Sequence, residues 1–236
     1  MSDPLPTFEL TSEQNPRDAA TVPELALRKR PKPGERRVQI LQALATMLEQ
    51  PGADRITTSA LAARLEVSEA ALYRHFASKA QMFEALIEFI EQSVFTLVNQ
   101  ISEREPNPAA RTRKLVVMVL QFAEKNPGLT RVMAGDALVF ENERLQQRMN
   151  QFFDKLESTF KQSLRDAAAA DSSPTPSVDA RVQSSVVTAF IVGRIQRFCR
   201  SGFQRLPTEY LEASLATLLS GAATSGAIRV ADTQLL

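Results

Sequence analysis

From residue 38 to about 221, apolar side chains return at every third or fourth position, and no stretch alternates apolar with polar long enough to make a strand. A period near 3.6 gathers such side chains on one stripe of a helix. The chain is therefore expected to be all-α. Val38, Leu41, Ala45 and Leu48 define the first stripe, which Pro51 and Gly52 end. Thr57 and Thr58 open a short second helix carrying Leu61, Ala62 and Leu65, and either hydroxyl can cap its free N–H groups. Ser68 caps a third helix over residues 68–76, with Leu72 and Phe76 turned inward at i and i+4. Ser78 caps a fourth, longer helix with the stripe Phe83, Ile87, Ile90, Val94, Leu97 and Ile101.

Pro106 and Pro108 break the pattern. A strongly apolar helix over 109–125 follows and ends at Pro127 and Gly128, and a short helix spans 129–134. Residues 136–168 read as one long amphipathic helix carrying Leu138, Leu145, Met149, Phe152, Phe153, Leu156, Phe160 and Leu164. Glu141 and Glu143 fall on it as solvated carboxylates. Residues 169–178, rich in Ala, Ser and Pro, read as a flexible linker. The last two helices are expected over 179–201 and 207–221, ahead of an unassigned tail at 223–236. Residues 1–34 show no period and read as a disordered arm, basic at 28–34. This divides the chain into the arm, a head at 35–80, a helical body at 81–222 and the tail.

The formal net charge is +1, so attraction to nucleic acid has to come from a local patch. Cys199 is the only cysteine, so no disulfide closes within the chain, which fits a reducing cytosol. The amino terminus lacks a signal-peptide pattern, and no apolar run approaches the roughly 18 residues that a bilayer requires. The expected location is cytoplasmic, without a membrane partner. A single histidine rules out a His-dependent triad elsewhere and any multi-His metal site. Neither phosphate-loop nor dinucleotide-loop glycine patterns occur. The chain is expected to be no enzyme and to use neither metal nor cofactor.

That histidine sits in "VSEAALYRHFASKAQMF", residues 67–83. Helix, tight turn and short second helix make a helix-turn-helix pattern, in which the second helix enters the major groove of DNA. With Leu72 and Phe76 facing the core, Glu69, Ala70, Tyr73 and Arg74 face out. Small side chains let the backbone approach base edges, so Ala70 or Ala71 can meet a thymine methyl and Arg74 a guanine. Tyr73, His75 and Lys79 supply donors suited to phosphate oxygens, which fix position without reading sequence. Thr57, Thr58 and Ser68 complete the candidate set at the helix starts.

The segment "RITTSALAARLEVSEAALYRHFASKAQMFEALIEFIE" resembles the amino-terminal module of TetR-type regulators, through Thr57 and Thr58, Val67 and Ser68, the run from Leu72 to Phe76, and Ser78 with Lys79. "NPGLTRVMAGDALVFENERLQQRMNQFF" extends the likeness to one branch of that fold, the SlmA-like nucleoid occlusion factors, over roughly residues 36–222. The resemblance implies a TetR-like architecture: a three-helix helix-turn-helix head and a carboxy-terminal helical dimerisation domain. It also implies a homodimer that binds a palindromic chromosomal site, engages the division protein FtsZ and disrupts its polymers over the nucleoid. The last two helices would form the dimer interface; Val186, Val187, Phe190, Ile191 and Ile195 suit either interface or core. Phe89 lies about 120° off the apolar stripe of its helix, as a wedge against a neighbour or an anchor for a partner. The family places the FtsZ groove between this helix and the next, which adds Met118, Lys125 and Asn126. Glu66 departs from the family, where glycine usually precedes the Val-Ser pair. The rival reading is a ligand-responsive TetR-type repressor, whose pocket Phe122, Phe140, Phe152, Phe153 and Phe160 would line.

Overall fold

Five short polar side chains decide where helices begin. Thr57, Ser68, Ser78, Asn107 and Asn142 each accept a hydrogen bond from a backbone N–H two or three residues on, which satisfies a donor that the first helical turn leaves unpaired. The computed structural model describes residues 34–50 and 56–220. The expected arm up to residue 33, the break at Pro51 and Gly52, and the tail from residue 221 lie outside the described residues. Among those residues the chain forms nine α-helices and no strand: α1 (Glu35–Leu48), α2 (Thr58–Arg64), α3 (Glu69–Tyr73), α4 (Lys79–Arg104), α5 (Pro108–Lys125), α6 (Pro127–Met133), α7 (Glu143–Ala170), α8 (Pro176–Arg200) and α9 (Leu211–Ser220).

α1 to α3 and the start of α4 build the head. α1 buries Ile40, Leu44, Ala45 and Leu48, whereas Val38 is 51% exposed and Leu41 half-buried. Both sets have helical spacing; packing against α4 and α6 selects the inner one. α4 buries Met82, Phe83, Leu86, Ile87, Ile90, Val94 and Val98, with Leu97 and Ile101 at the edge. In the body, α7 and α8 form an antiparallel pair against α5. Phe122, Phe152, Phe160 and Phe198 are fully buried, and Phe152 stands edge-on to both Phe95 and Phe153 with ring centres 5.7 and 5.2 Å apart. Cys199 is buried here, and burial pushes its thiol up to about 12.

The expected helix over 136–168 starts later and ends later. Gly135 adopts φ 87, a 3-10 turn spans Asp136–Leu138, and Asn142 caps α7 so that it begins at Glu143. Leu138 is buried in the turn and keeps the apolar spacing without being helical. α7 continues to Ala170 and α8 begins at Pro176, so the connection is 171–175 rather than 169–178. The hydroxyls of Ser173 and Thr175 donate to the Asp179 carboxylate and close it. Pro127 does not merely end α5: it opens α6, where its missing N–H is harmless. α9 begins at Leu211 rather than 207.

Two features join head to body. At Gly128, the second residue of α6, a methyl group would run into the Ala45 carbonyl of α1, with the carbonyl carbon only 2.8 Å away. Backbone thus rests on backbone. Beside it, ion pairs connect the first half of α4 to the start of α7. Lys79 pairs with Glu141, Glu84 with Arg144 (2.6 Å) and Glu91 with Arg148 (2.6 Å). Arg148 also donates to the Glu84 carbonyl at 3.4 Å. Glu141 is therefore neither helical nor solvated; its side chain is 11% exposed.

Candidate nucleic-acid interface

The turn between α2 and α3 is a Schellman arrangement. The Val67 N–H donates to the Ala62 carbonyl (3.0 Å) and the Glu66 N–H to the Ala63 carbonyl (3.1 Å). That pattern requires a left-handed residue at position 66, and Glu66 takes it with φ 53. The absence of glycine has not altered the turn. Ser68 then caps α3 by accepting from the Ala71 N–H (3.3 Å), as Thr57 caps α2 from the Ala60 N–H (3.1 Å). Of the two threonines, Thr57 is the cap. Thr58 instead donates its hydroxyl to a Glu69 carboxylate oxygen at 2.7 Å and ties the starts of the two helices together.

α3 has five residues, ending at Tyr73, not the nine expected over 68–76. Arg74 caps it, and the His75 and Phe76 N–H groups still reach back to the Leu72 carbonyl. Leu72 and Phe76 are each 1% exposed and anchor the unit as their spacing predicts. Thr57, Ser68, Glu69, Ala70, Tyr73, Arg74 and His75 are exposed, while Thr58 and Ala71 are half-buried. One carboxylate oxygen of Glu69 is already engaged, so its first duty is to fix the angle between α2 and α3.

Lys79 departs from the expected set. Its ammonium pairs with Glu141 and lies 5.7 Å from the centre of the Phe83 ring. It faces the joint between head and body, not the surface shared by Tyr73, Arg74 and His75. Glu141 thus already takes one of its three N–H donors and offsets its charge. Arg37 is the residue that the pattern did not single out. It lies in the first turn of α1, beyond the basic run at 28–34, and donates from Nη1 to the His75 carbonyl at 2.7 Å. Its guanidinium also stacks 4.1 Å from the centre of the Phe76 ring. Nothing local links positions 37 and 75, which meet only through the fold.

Of the residues assigned to a protein partner, Phe89 is half-buried on α4 and Lys125 exposed at the end of α5. Met118 and Asn126 are each 3% exposed. Met118 packs in the core, and Asn126 donates from its side-chain amide to the Phe122 carbonyl at 2.8 Å. Neither offers a surface: the resemblance pointed to the groove between α4 and α5 but not to which side chains of α5 face outward there.

Residues 40–86, from α1 into α4, match the model of bacterial regulatory proteins of the tetR family, and residues 107–221, α5 to α9, match a tetracyclin repressor-like carboxy-terminal domain of the SlmA-like type. The nucleoid occlusion factor SlmA of Idiomarina loihiensis is 50% identical over 178 residues, which cover 75% of this chain and 90% of that one. The same factor from Aliivibrio fischeri (strain MJ11) is 51% identical over 184 residues, covering 76% and 91%. The chain belongs to the SlmA branch of the TetR family. Its fold is shared more widely in that family. The transcriptional regulator FadR from Bacillus subtilis, solved in complex with stearoyl-CoA, superposes with a TM-score of 0.62 at 15% identity, over 78% of this chain and 98% of that one. The SlmA-like match extends through both helices of the α8–α9 pair, and the basic residues 28–34 lie ahead of both family models.

Proposed function

We propose that this chain is a DNA-binding nucleoid occlusion factor, which binds palindromic chromosomal sites as a homodimer and, when bound, engages FtsZ and disrupts its polymers over the nucleoid. The observation that carries the reading is the capped head, in which α3 is seated by Leu72 and Phe76 and offers Ala70, Tyr73, Arg74 and His75 outward. Ala70 and Arg74 suit base edges, and Tyr73 and His75 suit the flanking phosphates. Two such units related by a two-fold axis match a palindrome.

The dimer is supported by α8. Val178, Val182 and Val186 stand 61%, 62% and 46% exposed at i, i+4 and i+8, in line with half-buried Phe190. Exposed Ala189 and Gly193 share that end of the helix, and a methyl group added at Gly193 would meet open space, so a second backbone can come close. Val187, Ile191 and Ile195, by contrast, are buried in the protomer. For FtsZ, the surface offered between α4 and α5 rests on Phe89 and Lys125. Such a protein acts in the cytoplasm, on the nucleoid; no described helix is long and apolar enough to cross a membrane.

A ligand-responsive repressor is the second reading, favoured by one observation. A cavity of about 480 Å³ lies between the start of α5, the end of α7 and the 171–175 turn, lined by Thr112, Leu164, Asp171, Asp179 and Gln183 among others. It lies away from the phenylalanines suited to a pocket. Phe122, Phe152 and Phe160 fill the core, Phe153 is half-buried and Phe140 is 67% exposed. Sedimentation of FtsZ polymers separates the readings. With the chain and a duplex that it has selected from a randomised pool, less FtsZ is expected in the pellet than with either alone. An unchanged pellet removes FtsZ from the reading.

A further inference from the structure

Arg37 occupies a place in the head that its position in the first turn of α1 does not explain. The turn over 74–77 carries two of the outward side chains, Arg74 and His75, and follows directly on Tyr73, yet it has no helical hydrogen bonding of its own beyond the reach back to Leu72. It is held from both sides. The Gln81 side-chain oxygen accepts the Ala77 N–H at 2.8 Å. Arg37 Nη1 donates to the His75 carbonyl at 2.7 Å, in the turn just beyond the Arg74 cap of α3. The flat face of the same guanidinium lies against Phe76, which is itself sealed in the core at 1% exposure. A planar, forked cation fits this double duty; an ammonium can supply the charge but not the stacked plane.

We infer that Arg37 is the positioning residue of the reading unit: it fixes the 74–77 turn, and so aims Tyr73, Arg74 and His75, rather than adding one more phosphate contact. The inference rests on the DNA-binding reading above and says which residue gives that surface its shape. Arg37 is exposed, yet one face and one arm of its guanidinium are already engaged by Phe76 and the His75 carbonyl before any duplex arrives. DNA contact through the turn is thereby preorganised, which favours the correct site over others.

The test uses the full chain with Arg37→Lys and Arg37→Gln, a duplex selected by the native chain from a randomised pool, and a scrambled duplex of equal length. Dissociation constants are measured across a salt series. Both variants are expected to bind the selected duplex roughly tenfold more weakly and the scrambled one nearly as the native chain does, with the salt slope unchanged. The ring-proton resonances of His75, the only histidine, are expected to shift and broaden in the free variants as the turn loosens. A phosphate contact behaves differently. Arg37→Gln would then weaken both duplexes and flatten the slope by about 0.9, Arg37→Lys would restore both, and His75 would not move in the free protein. That pattern, or native selectivity in both variants, overturns the inference. Arg37→Lys keeps the charge and the stem, so it carries the test if Arg37→Gln does not fold. If the native chain itself selects no sequence, the DNA-binding reading fails first and this inference with it.

Discussion

Glu66 holds a left-handed conformation that costs a non-glycine residue roughly 1–2 kcal/mol. Replacing it by glycine removes that strain but adds freedom to the unfolded chain. The net expectation for Glu66→Gly is a gain of about 0.5–1 kcal/mol, read as a higher urea midpoint with an unchanged slope, and unaltered affinity for DNA. A loss of stability would mean that the glutamate side chain contributes more than its backbone costs. Tyr73 and Arg74 separate positioning from reading. Tyr73→Ala should weaken selected and scrambled duplexes alike and leave the salt slope as it was, because a neutral phenol displaces no counterion. Arg74→Ala should cost about 1–3 kcal/mol of discrimination at one base pair, visible when the randomised selection is repeated with the variant. Indistinguishable selected sequences would take Arg74 out of the base-reading set.

At the scale of elements, Gly128 sets how closely α6 approaches α1. Gly128→Ala is expected to destabilise the chain by about 1–3 kcal/mol, since the obstacle is backbone and cannot rotate aside; thermal unfolding measures it, and an unshifted midpoint would show that the joint yields. The elements themselves were largely legible, because apolar spacing and capping side chains are local signals. Thr57, Ser68 and Ser78 were recognisable as starts, and Leu72 and Phe76 as anchors. The failures share a cause. The segment 136–142 keeps a helical spacing of apolar residues through Leu138 and Leu145, yet Gly135 and the Asn142 cap break it. Whether Val38 or Ile40 faces inward is decided by α4 and α6, not by α1. The exposure of Glu69, Ala70, Tyr73 and Arg74 followed from the short helix alone. The engagement of Lys79 with Glu141, 62 positions away, and of Arg37 with His75, 38 away, had no local signature.

For the whole molecule, the exposed valine stripe of α8 is the testable feature. Val182→Asp places a charge at the middle of it and should shift the proposed dimer to monomer in sedimentation equilibrium. Affinity for a full palindrome should then fall by a hundredfold or so, as the second half-site no longer binds intramolecularly, while the affinity for a single half-site stays as it was. A dimer that survives this change would move the interface elsewhere. The three charged rungs from α4 to Glu141 and the start of α7 lie at the end nearest the head, whereas the interior of the body is closed by aromatic and aliphatic packing, with the Arg111–Asp166 and Arg113–Glu212 pairs at its rim. Ions weaken the first kind of contact and spare the second. As electrolyte rises, the head should therefore loosen about the backbone contact at Gly128 while the body stays rigid, and the two heads of the proposed dimer should tolerate a wider range of distances between half-sites.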